Sequence, residues 1–477
     1  MRYGATPLAI LLLGFGCREP VPLPANSTTF HTTTTVTLDQ VCEANNALHT
    51  VGLIFCTPDA QPGYTLFAPM QSTDTWLIDV HGQEVHRWTS SYPPGESAYL
   101  EPGGFLLRTA WFSGGSERFM GGGAGGRIEQ FDWDGNLVWD FAYADDQVRH
   151  HHDIERLPNG NILLIAWEYV TEGQATAWGR EPGLVSQYGI WADHIVEVSP
   201  AKENVWEWHI VDHLVQDHDP LLENYGIVND NPQLMDFNLL GGFSGLTDWN
   251  HVNGIDYNAA LDQIVLSAHN QDEVWVIDHS TTTEEAAGHT GGNQGRGGDF
   301  LYRWGTPGNY GAAGEKVLSG QHDAEWIPEG SPGAGHLLIF NNNLAAAESS
   351  AIEVMTPVQP DGSYLTEADG SWGPAEPLWS WGNGPAMFSF FISGSQRLPN
   401  GNTLICEGDD GEFLEVTPEG EVVWQYINPV TNLGPLAQGD DPSASALGNA
   451  VFRADRYLPG DPGLEGRLLR PLGTVEQ

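Results

Sequence analysis

Basic side chains are scarce in this sequence. Lys and Arg together number 18 against 63 Asp and Glu, which gives a formal net charge of −45 over 477 residues. A surface with this charge repels phosphate backbones and anionic lipid headgroups. The composition therefore argues against nucleic-acid binding and against attachment to a membrane through surface charge.

Long apolar runs are also lacking. The run at residues 8–13 follows Arg2 and ends shortly before Cys17. It is too short for a bilayer, which needs roughly 20 apolar residues, and it is typical of a signal-peptide core. Residues 1–17 are therefore interpreted as a signal peptide with a lipoprotein cleavage site, and plain secretion is the alternative. We expect an exported protein, periplasmic or anchored in the outer membrane, whose only membrane contact is a lipid on Cys17.

Cysteine is rare, with four in the chain. Export permits disulfides, and a bridge between Cys42 and Cys56 would tie down a segment with little core of its own. The Thr-rich residues 18–62 are predicted to form a tether. Cys406 lies in an apolar strand and is predicted to be a buried filler, since no redox motif surrounds it.

An imperfect four-strand pattern repeats from residue 63 to about 470. Each unit has short alternating strands joined by Pro, Gly and Asn turns, and its fourth strand is aromatic. Six such strands occur, at residues 85–88, 137–141, 205–208, 301–304, 378–381 and 423–426. This pattern predicts an all-β fold, a six-bladed β-propeller with four-stranded blades. The first unit lacks an inner strand, and residues 450–459 are predicted to supply it and close the ring.

The inner strands of a propeller line its central channel, so equivalent positions face one another. Counting six residues back from the turn position of each inner strand gives Glu96, His152, His251, His322, Ser393 and Arg453. Imidazole and guanidinium groups can donate hydrogen bonds to a sulfate or phosphate. His269, at the end of a second strand, is also predicted to reach the channel, whereas His150 and His151 are predicted to be exposed.

Two other kinds of site were considered for these histidines. A transition metal could be held by the three ring histidines with Asp153 or Asp323, but their spacing matches no metal-binding motif. A quinone- or metal-dependent redox propeller lacks the vicinal cysteine pair that would support it. The sequence contains no nucleophile elbow, P-loop or dinucleotide fingerprint, and no cofactor is predicted.

Several stretches are similar to the bacterial arylsulfotransferase family of periplasmic six-bladed propellers. They are Gly63-Tyr-Thr-Leu-Phe-Ala-Pro69, His151-His-Asp153, Asp248-Trp-Asn-His-Val-Asn253, Gln321-His-Asp323 and Val451-Phe-Arg-Ala-Asp-Arg-Tyr457. The resemblance implies that a phenolic sulfate ester donates its sulfuryl group to a histidine, which passes it to a phenol. His251 and His322 match the assisting histidines of the family. His152 and His269 are further catalytic candidates, and Arg453, Asn253 and Asn341 are candidate substrate ligands.

The sequence departs from the family at the nucleophile. The family histidine follows the second strand of a late blade, and here Glu412 takes that position. The family arginine is also missing after Asn343. A carboxylate could act as nucleophile or base, but it repels a sulfate ester unless a cation pairs with it. The alternative function is therefore a non-catalytic propeller that binds a ligand after losing the family nucleophile.

Overall fold

Each of six antiparallel sheets contributes four strands to a ring. The computed structural model describes residues 41–114, 121–240, 247–382, 384, 387–442 and 448–477. The predicted signal peptide with Cys17, and residues 18–40 of the predicted tether, lie outside these residues. Within the described part, no helix is both long and apolar enough to span a bilayer.

The strands of the N-terminal half are β1 (Ala44–Asn45), β2 (Gly52–Cys56), β3 (Tyr64–Pro69), β4 (Asp74–Asp79), β5 (Glu84–Thr89), β6 (Pro94–Glu101), β7 (Phe105–Trp111), β8 (Gly126–Phe131), β9 (Leu137–Ala142), β10 (Val148–Arg156), β11 (Ile162–Val170), β12 (Ile190–Val198), β13 (Asn204–His209), β14 (Leu214–Val215) and β15 (Met235–Asp236). Those of the C-terminal half are β16 (Val252–Asn258), β17 (Gln263–Ala268), β18 (Glu273–Asp278), β19 (Tyr302–Trp304), β20 (His322–Trp326), β21 (Leu337–Asn341), β22 (Ser350–Val354), β23 (Trp379–Trp381), β24 (Gly394–Arg397), β25 (Thr403–Glu407), β26 (Glu412–Val416), β27 (Val422–Ile427), β28 (Val430–Thr431), β29 (Gly434–Pro435) and β30 (Val451–Tyr457). Two short helices, α1 (Glu172–Ala177) and α2 (Thr283–Ala286), lie in the connections, with 3-10 turns at Pro182–Leu184, Ile210–Asp212, Val228–Asp230, His269–Gln271 and Pro307–Tyr310.

The strand order identifies the six predicted blades. From the channel outward they are β30-β3-β4-β5, β6-β7-β8-β9, β10-β11-β12-β13, β16-β17-β18-β19, β20-β21-β22-β23 and β24-β25-β26-β27, called blades 1 to 6. The innermost strands contact one another in cyclic order, from β30 through β6, β10, β16, β20 and β24 back to β30. The sequence-based prediction of a six-bladed propeller is confirmed.

Blade 1 joins the two ends of the folded chain. The C-terminal strand β30 pairs with β3 in antiparallel register, with Tyr457 opposite Tyr64 and Ala454 opposite Phe67. Its side chains Val451 and Phe452 are fully buried. β30 therefore covers the inner edge of β3 and becomes the innermost strand of blade 1, which is the arrangement that the missing inner strand of the first unit predicts.

Tryptophans of the outermost strands form hydrogen bonds that connect each blade to the next. Their indole N–H groups donate hydrogen bonds to the connection between the third and fourth strands of the following blade, most of them to backbone carbonyls: Trp88 to Asp132, Trp139 to Pro200, Trp206 to the Thr281 hydroxyl, Trp304 to Pro374, Trp381 to Gly420 and Trp424 to Val80, at 2.7–3.1 Å. The last bond returns from blade 6 to blade 1. The aromatic periodicity in the sequence thus reflects contacts between blades, in which each ring buries apolar area and satisfies its polar atom.

The folded part begins before residue 63, where the predicted tether ends. Strands β1 and β2 form a hairpin that pairs with β27 and extends blade 6 outward. A disulfide joins Cys42 to Cys56, with 5.7 Å between their Cα atoms, and both cysteines are buried. The hairpin escaped the sequence analysis because its few apolar residues gain a core only from the neighbouring blade. Cys406 is buried and free, as predicted.

Candidate functional site

A repeated backbone irregularity aims side chains into the channel. At the ring positions Glu96, His152 and His251 the backbone φ is 112°, 52° and 54°, a region that residues other than glycine rarely adopt. The strand registers break at or beside these residues, as expected for β-bulges. In blade 5 the positive φ falls on Asp323, one residue after His322. In blade 5 the irregularity is therefore one residue away from the counted ring position.

Four of the predicted histidines lie side by side along the channel, and we call them the histidine row: His152, His251, His269 and His322. The ring centroids are 4.7 Å apart for His152 and His251, 5.1 Å for His251 and His269, and 5.3 Å for His269 and His322. His251 and His269 are partly exposed, whereas His152 and His322 are buried. A small molecule in the channel therefore meets His251 and His269 first.

Carboxylates favour the protonated form of His251. Its Nδ1 lies 2.5 Å from Asp248 Oδ2, and the other Asp248 oxygen accepts a hydrogen bond from the Trp167 indole at 3.1 Å. Burial opposes a charge on the ring, but the Asp248 carboxylate and, more weakly, Glu96 raise the pKa of His251 above its usual value. Its Nε2 has no hydrogen-bond partner among the described residues, so the protonated ring can donate Nε2–H to an anion.

His269 presents a lone pair. Asn270 donates its amide N–H to the Asp248 carbonyl at 2.7 Å, which turns its Oδ1 toward His269 Nδ1 at 3.0 Å. The amide orientation requires the proton to be on Nδ1, so Nε2 of the neutral ring is unprotonated. Burial, with the charge of His251, lowers the pKa of His269 to about 4. At neutral pH this side chain is an uncharged nucleophile or base.

His322 uses both ring nitrogens within the fold. Its Nδ1 lies 2.8 Å from Asn342 Oδ1, and its Nε2 accepts the Ile392 N–H at 3.1 Å. Asn342 also donates to the Ser389 and Ile392 carbonyls, which fixes the direction of its amide. Burial keeps the pKa of His322 well below its usual value. This histidine joins blades 5 and 6, so neither nitrogen is left for a substrate.

The predicted exposure of His150 and His151 is wrong, since neither has any exposed surface. His150 Nδ1 accepts the Gly126 N–H at 3.2 Å. His151 stacks on Trp167 with 3.7 Å between ring centroids, and its Nδ1 lies 2.8 Å from His152 Nδ1. With the bulge at His152, the side chains of His150, His151 and His152 are all buried. The alternation of side chains along a strand does not by itself predict this.

Glu96 completes the ring as a buried carboxyl group. It is 8 % exposed, and its Oε2 has no hydrogen-bond partner among the described residues. Burial raises its pKa to about 7, against the lowering effect of the His251 charge. The sequence analysis placed Glu96 in the ring without giving it a role. The structure makes it the carboxyl group whose charge acts on His251 from across the ring.

Arg453, predicted to bind substrate, is occupied by carboxylates. Its guanidinium donates to Asp153 at 3.1 Å, lies 2.8 Å from Asp323, and hydrogen-bonds the Tyr99 hydroxyl. Burial opposes its charge, but Asp153 and Asp323 raise the pKa of Arg453 further above its usual value. The carboxylates contact Nη2 and Tyr99 accepts from Nη1, so only Nε of Arg453 has no partner among the described residues. Arg453 therefore neutralises acidic residues below the histidine row.

Replacing Arg453 by methionine leaves Asp153 and Asp323 buried without a cation. We expect the free energy of unfolding to fall by about 3–5 kcal/mol, as for other broken buried ion pairs. Urea denaturation followed by tryptophan fluorescence measures this change. Arg453→Lys keeps the charge and should lose less, and an Arg453→Met protein as stable as wild type would contradict the assignment.

The other predicted ligands also lie elsewhere. Asn253 is fully buried and donates to the Gln321 carbonyl at 2.9 Å. Asn341 accepts the Ser319 and Asn343 N–H groups and donates to the Val317 carbonyl, so it orders the loops before and after its strand. Both therefore support the scaffold.

Glu412 is not brought to the histidine row. It accepts a hydrogen bond from Gln425 on the outer strand of blade 6, and its charge acts on Glu407. The two carboxyl groups line a cavity of about 270 Å³ with Phe55 and Trp381. The family nucleophile therefore has no counterpart in Glu412.

The comparisons with known proteins bear on the family. The sequence matches the family model described as Arylsulfotransferase (ASST) over residues 75–432. No curated protein matches the chain significantly.

Solved structures with similar folds are remote. A protein of unknown function from Bacteroides caccae is 12 % identical with a TM-score of 0.43, covering 83 % of this chain and 99 % of that one. A protein from Lactobacillus plantarum is 10 % identical with a TM-score of 0.38, covering 80 % and 86 %. Virginiamycin B lyase from Staphylococcus aureus is 9 % identical with a TM-score of 0.34, covering 78 % and 86 %. At these identities they carry no argument about function.

Proposed function

Because this chain belongs to the arylsulfotransferase (ASST) family, we propose that it transfers the sulfuryl group of an aryl sulfate ester to a phenolic acceptor. The single observation that carries the proposal is that the His269 and His251 rings lie side by side in the channel, with centroids 5.1 Å apart, and that Asn270 contacts Nδ1 of the first and Asp248 contacts Nδ1 of the second. Sulfuryl transfer needs a nucleophile in line with the leaving phenolate and a cation beside the sulfur oxygens. His269 and His251 fit these two requirements.

His269 follows directly after β17, the second strand of its blade. The family nucleophile also follows a second strand, although in a later blade. The approximate repetition of the blades around the channel makes the ends of second strands equivalent. A histidine on blade 4 therefore reaches the channel in a comparable way and replaces the residue missing from blade 6.

In the first step His269 Nε2 attacks the sulfur of the aryl sulfate. The new N–S bond forms as the S–O bond to the phenol breaks, and the electron pair leaves with the phenolate oxygen. His251 Nε2–H stabilises the sulfur oxygens and donates its proton to the departing phenolate. Asn270 holds Nδ1–H of His269 throughout and so keeps the nucleophilic tautomer.

In the second step a phenol attacks the sulfur on His269. The O–S bond forms, the N–S bond breaks, and the phenolic proton passes to the Glu96 carboxylate. Return of that proton from Glu96 to His251 restores the starting state. A carboxyl group with a pKa of about 7 suits this exchange, because both of its forms are populated at neutral pH.

The alternative is a non-catalytic binding propeller. It is favoured by the engagement of both His322 nitrogens and by the carboxylates around Arg453, since two groups expected to assist transfer are used in the scaffold. This function still uses the channel, where His251 attracts an anion. The two proposals differ in whether a sulfuryl group becomes attached to the protein.

We expect continuous 4-nitrophenolate release from 4-nitrophenyl sulfate only when a phenolic acceptor is present, and at most one equivalent per protein without it. Because His269 must be neutral, kcat/KM should fall on the acid side as pH drops through about 4. It should fall again at high pH as His251 loses its proton. Absorbance measured across the pH range tests this profile. Absence of turnover together with tight, saturable aryl sulfate binding would favour the non-catalytic alternative.

We also propose that the protein is exported and acts in the cell envelope or outside the cell. The disulfide between Cys42 and Cys56 supports an oxidising compartment, because cytosolic thiols are kept reduced. The short apolar run before Cys17 supports the same location. Labelling with a fatty-acid analogue, compared between wild type and Cys17→Ala, tests the lipid anchor.

A further inference from the structure

Blade 3 carries a second group of histidines outside the channel. Glu168, His194 and His209 lie on β11, β12 and β13, and each can offer one ligand atom so that all three atoms are within 4.8 Å of one another. His194 is directly opposite His209 in the strand register. Their rings are parallel, with centroids 5.0 Å apart.

The strand register places this group on the far side of the blade from the proposed active site. Trp167 and Asp193, which are paired across β11 and β12, support the histidine row. Because side chains alternate along a strand, Glu168 and His194 point to the opposite face, toward blade 2. There Tyr143 hydrogen-bonds His194 Nε2 at 3.1 Å. The two groups share strands but face different surroundings.

We propose that Glu168, His194 and His209 form a binding site for a divalent transition-metal ion, Zn²⁺ foremost. Two imidazoles and one carboxylate are a ligand set that such ions take up in proteins. Ligand atoms around a tetrahedral Zn²⁺, at about 2.0–2.1 Å from the ion, are roughly 3.4 Å apart. Metal binding would therefore draw the three ligand atoms, now within 4.8 Å of one another, closer together.

His194 points independently to a missing ligand. It is 1 % exposed, and its Nδ1 forms no hydrogen bond of standard geometry among the described residues. Buried imidazole nitrogens are normally paired, because desolvation without a partner is costly. Tyr143 takes Nε2, and the Ala166 carbonyl acts on the imidazole without forming a hydrogen bond of standard geometry to Nδ1. Metal-bound histidines commonly have one nitrogen fixed by a neighbour in this way.

The charges around the site favour a cation. His209 Nδ1 lies 3.0 Å from Glu168 Oε1, and its Nε2 lies 3.5 Å from Glu207 Oε2. The carboxylates of Glu168 and Glu207 therefore flank the His209 ring from both nitrogens and favour a cation at this position. Glu168 and His209 are partly exposed, which leaves a route for the ion.

In the described part, two other clusters of His, Asp or Glu side chains have ligand atoms equally close together. Neither contains a buried imidazole nitrogen without a hydrogen bond. His213 is bonded through both nitrogens, to Asp299 and to the Ala286 carbonyl. The other group, at Glu407, Asp409 and Asp410, offers carboxylates only, and two of them accept backbone N–H groups. Neither combines an unpaired buried imidazole with a facing carboxylate.

Calorimetric titration of ZnCl₂ into the chelator-treated full chain tests the proposal. We expect one equivalent to bind, and His194→Gln, His209→Gln and Glu168→Gln each to weaken binding at least about ten-fold. His336→Gln is the matched control, because His336 forms a half-buried 2.7 Å pair with Glu353 but has no second histidine beside it. This control should bind as wild type does.

Absorption by bound Co²⁺ is a second measurement of metal binding, and it does not depend on the stability of the protein. A visible absorption band of bound Co²⁺ should be present in wild type and in His336→Gln and absent from His209→Gln, whose partly exposed position makes misfolding a lesser concern. No Zn²⁺ binding by wild type overturns the proposal. Binding that persists in all three ligand variants, or that is lost only on His269→Ala, also overturns it and moves the ion elsewhere. Sulfuryl transfer without bound metal is compatible with either outcome, so this test is separate from that of the proposed function.

Discussion

Replacing His269 by alanine should lower kcat/KM for sulfuryl transfer by about 10⁴-fold or more, because it removes the nucleophile itself. The fold should be retained, since the ring is partly exposed and its hydrogen bond among the described residues is to the neighbouring Asn270. Nitrophenolate release under single-turnover conditions measures the loss. Wild type mixed with aryl sulfate and no acceptor should gain the mass of one sulfuryl group on the peptide containing His269.

His279→Ala is the matched control for this experiment. His279 belongs to the same blade, follows the third strand rather than the second, and is bonded to Glu197 and Asp262 away from the histidine row. It should leave transfer nearly unchanged. Added imidazole should partly restore activity to His269→Gly. Full activity in His269→Ala, or a sulfuryl group found on another histidine, would remove His269 from the mechanism.

Deleting residues 450–477 should prevent stable folding. The deletion removes β30, and with it the inner strand of blade 1, the buried Val451 and Phe452, and the cation Arg453. It also exposes the edge of β3, a template for aggregation. The loss is expected to exceed the about 5–15 kcal/mol that stabilises a typical domain. Soluble yield and the thermal transition by circular dichroism provide the measurement.

A peptide of residues 448–477 supplied during refolding is the control, because it can restore the missing strand without a covalent link. We expect it to recover part of the soluble protein and of the cooperative transition. A truncated chain that remains soluble and melts at the wild-type temperature would contradict the role given to β30.

Much of the site could be located from the sequence, because blades repeat and the channel positions can be counted from the turns. His152 and His251 were placed correctly, since the counting holds in their blades. It is off by one residue in blade 5, where the bulge falls on Asp323. The roles of two acidic partners were missed. Asp248 precedes His251 by three residues, a spacing that could have suggested the contact, whereas Glu96 was placed in the ring but nothing near it in the sequence indicated a role.

The roles of the site residues could not be predicted by counting positions in the sequence. A histidine acts as donor, nucleophile or scaffold according to what its two nitrogens contact, and those partners come from distant parts of the chain. Asn342 and Ile392 hydrogen-bond the two ring nitrogens of His322. Asn270 fixes the tautomer of His269, and the carboxylates of two blades surround Arg453. Each of these contacts depends on side-chain direction at a bulge or loop.

The sequence by itself determined the propeller, the number of its blades and the pairing of the two ends, because alternation, turn residues and aromatic outer strands are local properties repeated six times. Only the tertiary structure decided which histidines remain free, which carboxylate holds a charge beside them, and that Glu168, His194 and His209 share one face. The physical reason is that protonation and ligand capacity are set by burial and by neighbours across strands and blades. A local sequence pattern does not contain those neighbours.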